Sequence, residues 1–256
     1  MIEMNPTKRF SSRVKKYVRF RPRYPQEIID CLEKNCGLTS ASVVADIGSG
    51  TGISSEPFLQ NGNRVYGVEP NDEMRAAAED LLAAYDNFAS HNGSAEATGL
   101  ADESIEFVVA GQAFHWFNME AARAEFARIL RPNGMAVLVW NSRNTGTKSF
   151  MAAYEKLLGE LANDYALVNE HKASDDETIA RFYAPHEFQK VAIDNDHLYD
   201  LETLRGRALS SSYSPLPEQP NYQPFLERLD AIFNKHQQNG QVCFGYTTRL
   251  YWGQLK

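Results

Sequence analysis

Two acids and a run of glycines carry the most legible chemistry in this chain. Asp46 follows the apolar run Val43-Val44-Ala45, and Gly48, Gly50 and Gly52 come next at every second position. Glu69 closes a second apolar run, Val65-Tyr66-Gly67-Val68. Glycine lacks a Cβ, so such a loop turns sharply and lets a ligand lie against backbone N–H groups. The dinucleotide fingerprint is G-x-G-x-x-G. Here the spacing is G-x-G-x-G, and Ile53 stands where that fingerprint wants its third glycine. Asp46 would repel a phosphate and attract an ammonium group. Glu69 can accept from both hydroxyls of a ribose. A ligand with an adenosine at one end and an amino acid at the other fits these features together. A nicotinamide-dependent oxidoreductase fits them less well.

Other residues could act on a second molecule. His115, between Phe114 and Trp116, suits proton transfer near neutrality; a packed histidine in an aromatic cluster is the alternative. Trp116 reads as a pocket wall. Arg19, Arg21 and Arg23 could clamp a substrate carboxylate, since guanidinium suits bidentate recognition, with Arg143 and Arg205 as further contributors. Each is also readable as a structural or surface charge. No His/Cys/Asp set has metal-ligand spacing, so no metal is expected. Cys31, Cys36 and Cys243 form no even framework and read as reduced packing thiols of a cytoplasmic protein.

The elements that must position these groups alternate. Strands are expected at 42–47, 64–69, around 88–91, at 105–110 and at 135–140. Helices are expected at about 25–35, 52–60, 71–84 and 119–130, with Gly37 stopping the first and Arg131–Gly134 forming a turn. This alternation predicts a parallel sheet with helices on both faces. Asp46, Glu69, the 92–96 turn and residues 111–117 then share the rim at the strands' carboxyl ends. Beyond Asn141 the pattern loosens into helices at about 147–168, 175–183, 200–211 and 221–237, a strand near 188–193 and a last strand over 242–252. Residues 7–20 read as a helix ringed by cations.

The chain has 256 residues, 43% of them hydrophobic, enough for one large α/β domain. Its net charge is −7, yet residues 1–26 hold eight cations against Glu3 alone. An acidic body argues against a broad nucleic-acid surface, and a basic arm favours a small anionic substrate or is simply a solvated face. No apolar run approaches a membrane span.

These segments resemble a known family, the class I S-adenosylmethionine (SAM)-dependent methyltransferases, in their type-11 small-molecule branch, which includes ubiquinone/menaquinone-biosynthesis-like and trans-aconitate-methyltransferase-like enzymes. The resemblance is carried by Val44–Gly52, Val68–Met74, Gly93–Glu96, Ala113–Phe117 and Leu130–Met135. It implies a Rossmann-like, doubly wound seven-stranded sheet whose last strand is antiparallel and inserted between five and six. It implies one domain over 1–256, with a core at about 38–141 and 186–256. A helical lid (1–37), a helical insertion (about 142–185) and lid elements (about 200–238) complete it. By position, Asp46 with Gly48, Ser49, Gly50 and Gly52 would hold the methionine end and Glu69 the ribose. Asn71 and Met74 would flank ribose and adenine, and Ser94, Ala95 and Glu96 would frame the adenine edge. Gln112 would sit beside the sulfonium, and Tyr24 would lie over the cofactor. The implied activity is methyl transfer from SAM, leaving S-adenosyl-L-homocysteine, to a small molecule. Arg19, Arg23 and Trp116 are its candidate substrate contacts and His115 its candidate base. The expected protein is a monomer or weak homodimer without nucleic-acid or membrane partners. The alternative is a SAM-binding regulatory or interaction module without transferase activity.

Overall fold

The computed structural model describes residues 20–145, 149–163, 165 and 176–256. Its centre is a seven-stranded sheet in the order β3-β2-β1-β4-β5-β9-β6. The strands are β1 (Val43–Ile47), β2 (Arg64–Val68), β3 (Phe88–His91), β4 (Ile105–Gly111), β5 (Leu130–Arg143), β6 (Phe188–Asp194) and β9 (Tyr246–Gly253). β1 to β5 pair in parallel, whereas β9 runs antiparallel to both β5 and β6. The inserted antiparallel strand is therefore present between the fifth and sixth strands.

Side chains on a strand alternate between faces, and the two faces bury different clusters. Val44, Val109, Val137 and Val139 pack with Ile28, Ile29 and Leu32 of α1 (Glu27–Cys36) and Phe58 of α2 (Glu56–Gln60). Ala45, Val108, Ala110 and Leu138 pack on the other face with Phe126 and Ile129 of α4 (Met119–Ile129) and Phe182 of α6 (Asp176–Tyr183). Apolar residues at nearly every position of the central strands are what two-sided burial demands. α3 (Asp72–Leu81) lies between β2 and β3 in the chain.

Several boundaries differ from the sequence reading. The helix expected at 52–60 begins only at Glu56, because Gly52 keeps a left-handed φ of 81° and the chain turns until Ser55. The turn expected at 131–134 falls inside β5 and not ahead of it: Ile105 pairs with Leu130, and pairing resumes at Phe107 with Met135. Asn133 takes a φ of 65° in that excursion. The last strand is split at Gly245. Tyr246–Gly253 enters the main sheet, but β8 (Val242–Phe244) pairs with β7 (His197–Tyr199) in a separate two-stranded sheet. Gly37 ends α1 as expected, at φ 69°. The helix expected at 7–20 lies, but for Phe20, outside the described residues.

The β7–β8 ladder belongs to a third apolar cluster. It packs Phe150, Tyr154 and Leu157 of α5 (Ser149–Leu161), Leu204 and Ala208 of α7 (Leu201–Leu209), Phe225 and Leu229 of α8 (Tyr222–His236), and Phe244 and Tyr246.

Candidate active site

The glycine loop is fixed by the strand beside it. Gly48 and Ser49 donate their N–H groups to the Val68 carbonyl at 2.8 and 3.2 Å. This ties the end of β1 to the end of β2. Gly48, Gly50 and Gly52 all take positive φ, at 68°, 55° and 81°. A Cβ on Gly50 would stand in open space, so the loop presents bare backbone there.

Asp46 is fully buried beneath this loop. The hydroxyls of Ser54 and Ser55 both donate to its Oδ2 at 2.7 Å. Its Oδ1 is buried with no hydrogen-bond partner, and so is Thr51 Oγ1. Burial pushes the Asp46 carboxyl up to about 6, the two serine hydroxyls offsetting part of that rise. A buried carboxylate oxygen without a donor is a place where a ligand cation or N–H group would be stabilising.

Glu69 closes over the same loop. Its Oε2 accepts from Gly50 N–H at 3.0 Å and its Oε1 from Asn71 N–H at 2.9 Å. Burial raises its pKa, opposed by these two bonds and by Arg75. A carboxylate offers about four acceptor sites, so room for ribose hydroxyls remains. Asn71 caps α3, its Oδ1 accepting from Met74 N–H at 2.9 Å, and Met74 is buried. Ser94 bridges to Ala97, Ala95 is buried, and Glu96 Oε1 accepts from Asn118 N–H at 2.8 Å. Glu96 thus binds the 94–97 turn to the start of α4.

Gln112 departs from β4 with φ 58°, an unfavourable conformation for a side-chain-bearing residue. It is held there by its N–H to Val139 O at 2.9 Å and its Nε2 to Asn141 O at 2.8 Å. Such strain clusters where geometry matters. The Tyr24 hydroxyl reaches within 3.0 Å of where a Cβ of Gly111 would stand, and the Ser54 side chain within 2.6 Å. Tyr24, Ser54 and Gln112 therefore meet at the end of β4.

His115 and Trp116 sit in the short 3₁₀ turn Phe114–Trp116, their rings tilted against each other at 5.0 Å. Both are half-buried. The arginines fall out differently from the sequence reading. Arg19 lies outside the described residues. Arg23 Nη1 pairs with Glu56 Oε2 at 2.6 Å, so part of its guanidinium is engaged by a protein carboxylate. Arg205 pairs with Asp230 and Arg143 with Glu155. Four side chains of the site carry no signal in the sequence. Ser54 and Ser55 look like ordinary loop serines until the fold sets them on Asp46. Asn141 and Asn195 both donate to the Arg23 carbonyl, at 3.3 and 2.9 Å. No periodicity marks either asparagine.

Among the described residues, no cluster of three or more His, Cys, Asp or Glu could hold a metal, and no helix is long and apolar enough to cross a membrane.

The sheet order, the antiparallel strand and the acid-and-glycine rim define the Rossmann-like fold of the class I methyltransferases. Residues 45–138 match the family model described as a methyltransferase domain. An uncharacterised methyltransferase-like protein of Schizosaccharomyces pombe is 34% identical across 64% of this chain and 63% of its own length. An uncharacterised methyltransferase of Mycobacterium tuberculosis is 39% identical across 53% of each. The chain thus spans less than two thirds of these curated relatives. A solved structure from Anaeromyxobacter dehalogenans, provisionally described as a type II methyltransferase, aligns with a TM-score of 0.65 at 17% identity, covering 92% of this chain and 98% of that one.

Proposed function

We propose that the chain transfers a methyl group from SAM to a small-molecule acceptor bearing an anionic group. The observation that carries the cofactor is Asp46, a buried carboxylate with one oxygen unsatisfied beneath a bare-backbone loop. An α-ammonium group fits that oxygen, and a phosphate does not. Asp46 and the loop from Gly48 to Gly52 hold the amino-acid end, and Glu69 takes the ribose hydroxyls. Asn71 and Met74 lie beside the ribose and adenine, and Ser94, Ala95 and Glu96 along the adenine edge. Gln112 stands at the sulfonium and Tyr24 covers it. When bound, the cofactor supplies an activated, electrophilic methyl group. The chain's own part is alignment and exclusion of water. The Phe20–Tyr24 segment closes over the ends of the strands, and the strained Gln112 is held against β5. His115 serves as the base where the acceptor is a hydroxyl or carbon acid.

Calorimetry with SAM, S-adenosyl-L-homocysteine and NAD tests the cofactor. Binding of the first two without a response to NAD is the expected result, and preferential NAD binding would overturn it. SAM binding with no turnover across a broad acceptor panel would leave a binding module in place of a transferase.

A further inference from the structure

Among the described residues only two charged side chains are buried to below a tenth exposure. One is Asp46. The other is Arg207, on α7, at 3%. Its Nε donates to the Tyr246 hydroxyl at 2.6 Å and its Nη1 to Ser211 Oγ at 2.9 Å. Its Nη2 makes no hydrogen bond to a described residue, and no described carboxylate pairs with it. The guanidinium lies 5.8 Å from the ring centroids of both Phe244 and Tyr246.

Its surroundings are short of partners too. The Tyr154 hydroxyl and His197 Nε2 are buried without a hydrogen bond; the Tyr154 ring packs edge-on against the Phe244 that Arg207 overlies, and the His197 ring against the Tyr246 that Arg207 donates to. The nearby Arg143 is different. Glu155 neutralises it, and the hydroxyls of Tyr213 and Tyr165 accept from its other two nitrogens at 2.8 and 2.7 Å. Two neutral acceptors and two aromatic faces compensate a buried guanidinium only in part. An anion beside the guanidinium would be stabilising.

The position is consistent with an acceptor site. Tyr246 opens β9 opposite Arg143, two residues beyond the Asn141 whose carbonyl holds Gln112. The Phe20 ring packs on Gly206, next to Arg207, and Arg21 Nη2 donates to Ser210 O at 3.2 Å. The segment that carries Tyr24 to Gly111 therefore begins on the helix that carries Arg207.

Resting on the methyl-transfer reading, we propose that Arg207 and the Tyr154 hydroxyl together receive a carboxylate of the acceptor, making this an enzyme for carboxylic acids anchored in the α5–α7 cluster. The planar fork suits a carboxylate edge, and Tyr154 donates to a remaining lone pair. A carboxylate so engaged serves recognition. Another atom of the same molecule meets the methyl group.

The test uses the full chain near neutral pH, with citrate, glutarate and benzoate as probes, their amides as neutral counterparts, and calorimetry and thermal unfolding as readouts. At least one acid is expected to bind wild type while its amide does not. Arg207→Met and Tyr154→Phe each lower that affinity by about tenfold or more, as loss of hydrogen bonds to a charged group requires. SAM affinity stays within about twofold in both variants, because neither bears on that site in this proposal. Tyr154→Phe also melts no lower than wild type, having removed an unsatisfied hydroxyl. Arg205→Ala, whose guanidinium pairs with Asp230, binds the acid as wild type does. Should Arg207→Met not fold by circular dichroism, Tyr154→Phe and Arg207→Lys carry the test, and unchanged acid affinity in both overturns the proposal. It is also overturned if no acid binds wild type, if Arg207→Met binds acids normally, or if that variant loses SAM instead. Acid binding that depends on Arg207 in a chain that ignores SAM would sustain the anion site and remove the methyl-transfer reading.

Discussion

At the scale of single residues, Asp46 makes a pH prediction with a definite sign. Its carboxyl titrates near 6 in the fold against about 3.9 in an unfolded chain. The native state therefore binds the proton more readily. Ionised Asp46 costs the free protein stability above about pH 6, and that cost is relieved as pH falls from about 6 towards 4. Ligand binding runs the other way, because an ammonium group needs the carboxylate. The apparent SAM dissociation constant is expected to be level above about pH 7 and to rise about tenfold per unit below 6. Calorimetry across that range checks it, and a flat profile would remove Asp46 from the ammonium. Asp46→Asn should bind SAM weakly at every pH yet melt no lower than wild type at pH about 8. Asp46 and Glu69 were legible in sequence because each is an acid ending an apolar run. Arg207 was not, since one arginine in a polar helix pattern carries no sign of burial. Only the closing of α5, α7 and β8 around it shows that it is enclosed.

Among the elements, the glycine loop separates binding from folding. Gly50 and Gly52 both have left-handed φ, which costs a side-chain-bearing residue about 1–2 kcal/mol. A Cβ at Gly50 meets nothing, while one at Gly52 would come within 2.5 Å of Leu82 Cδ1. Gly52→Ala therefore adds overpacking of about 1–3 kcal/mol to the backbone strain. Thermal unfolding should rank Gly52→Ala well below Gly50→Ala in stability. Calorimetry should still find cofactor affinity reduced in Gly50→Ala, whose new methyl group projects into the cradle. Equal destabilisation of the two would contradict this division. The parallel strands were readable from their apolar runs because burial on both faces leaves a simple pattern. The split at Gly245 was not, since residues on both sides of it are apolar and β-branched or aromatic. What diverts 242–244 is a partner distant in sequence, residues 197–199, and period alone does not report pairing.

Over the whole molecule, the N-terminal described segment is fastened to the far half of the sheet. Thr248 Oγ1 donates to Asn141 Oδ1 at 2.6 Å, and Asn141 and Asn195 together hold the Arg23 carbonyl. Asn195→Ala should loosen residues 20–25 without unfolding the sheet. Faster limited proteolysis at that segment and quicker SAM release, against a nearly unchanged melting temperature, are the expected readouts. Unaltered proteolysis would show that Glu56 and the packing of Tyr24 suffice. The placement of β9 has a consequence of another kind. β6 touches no strand of the main sheet except β9, so during synthesis its edge stays unpaired until residues 195–245 have been made and Tyr246–Gly253 follows them. A folding chain thus holds an open, templating edge on β5 for the whole of that interval. Its exposure to aggregation during translation is set by how quickly the third cluster condenses and delivers β9.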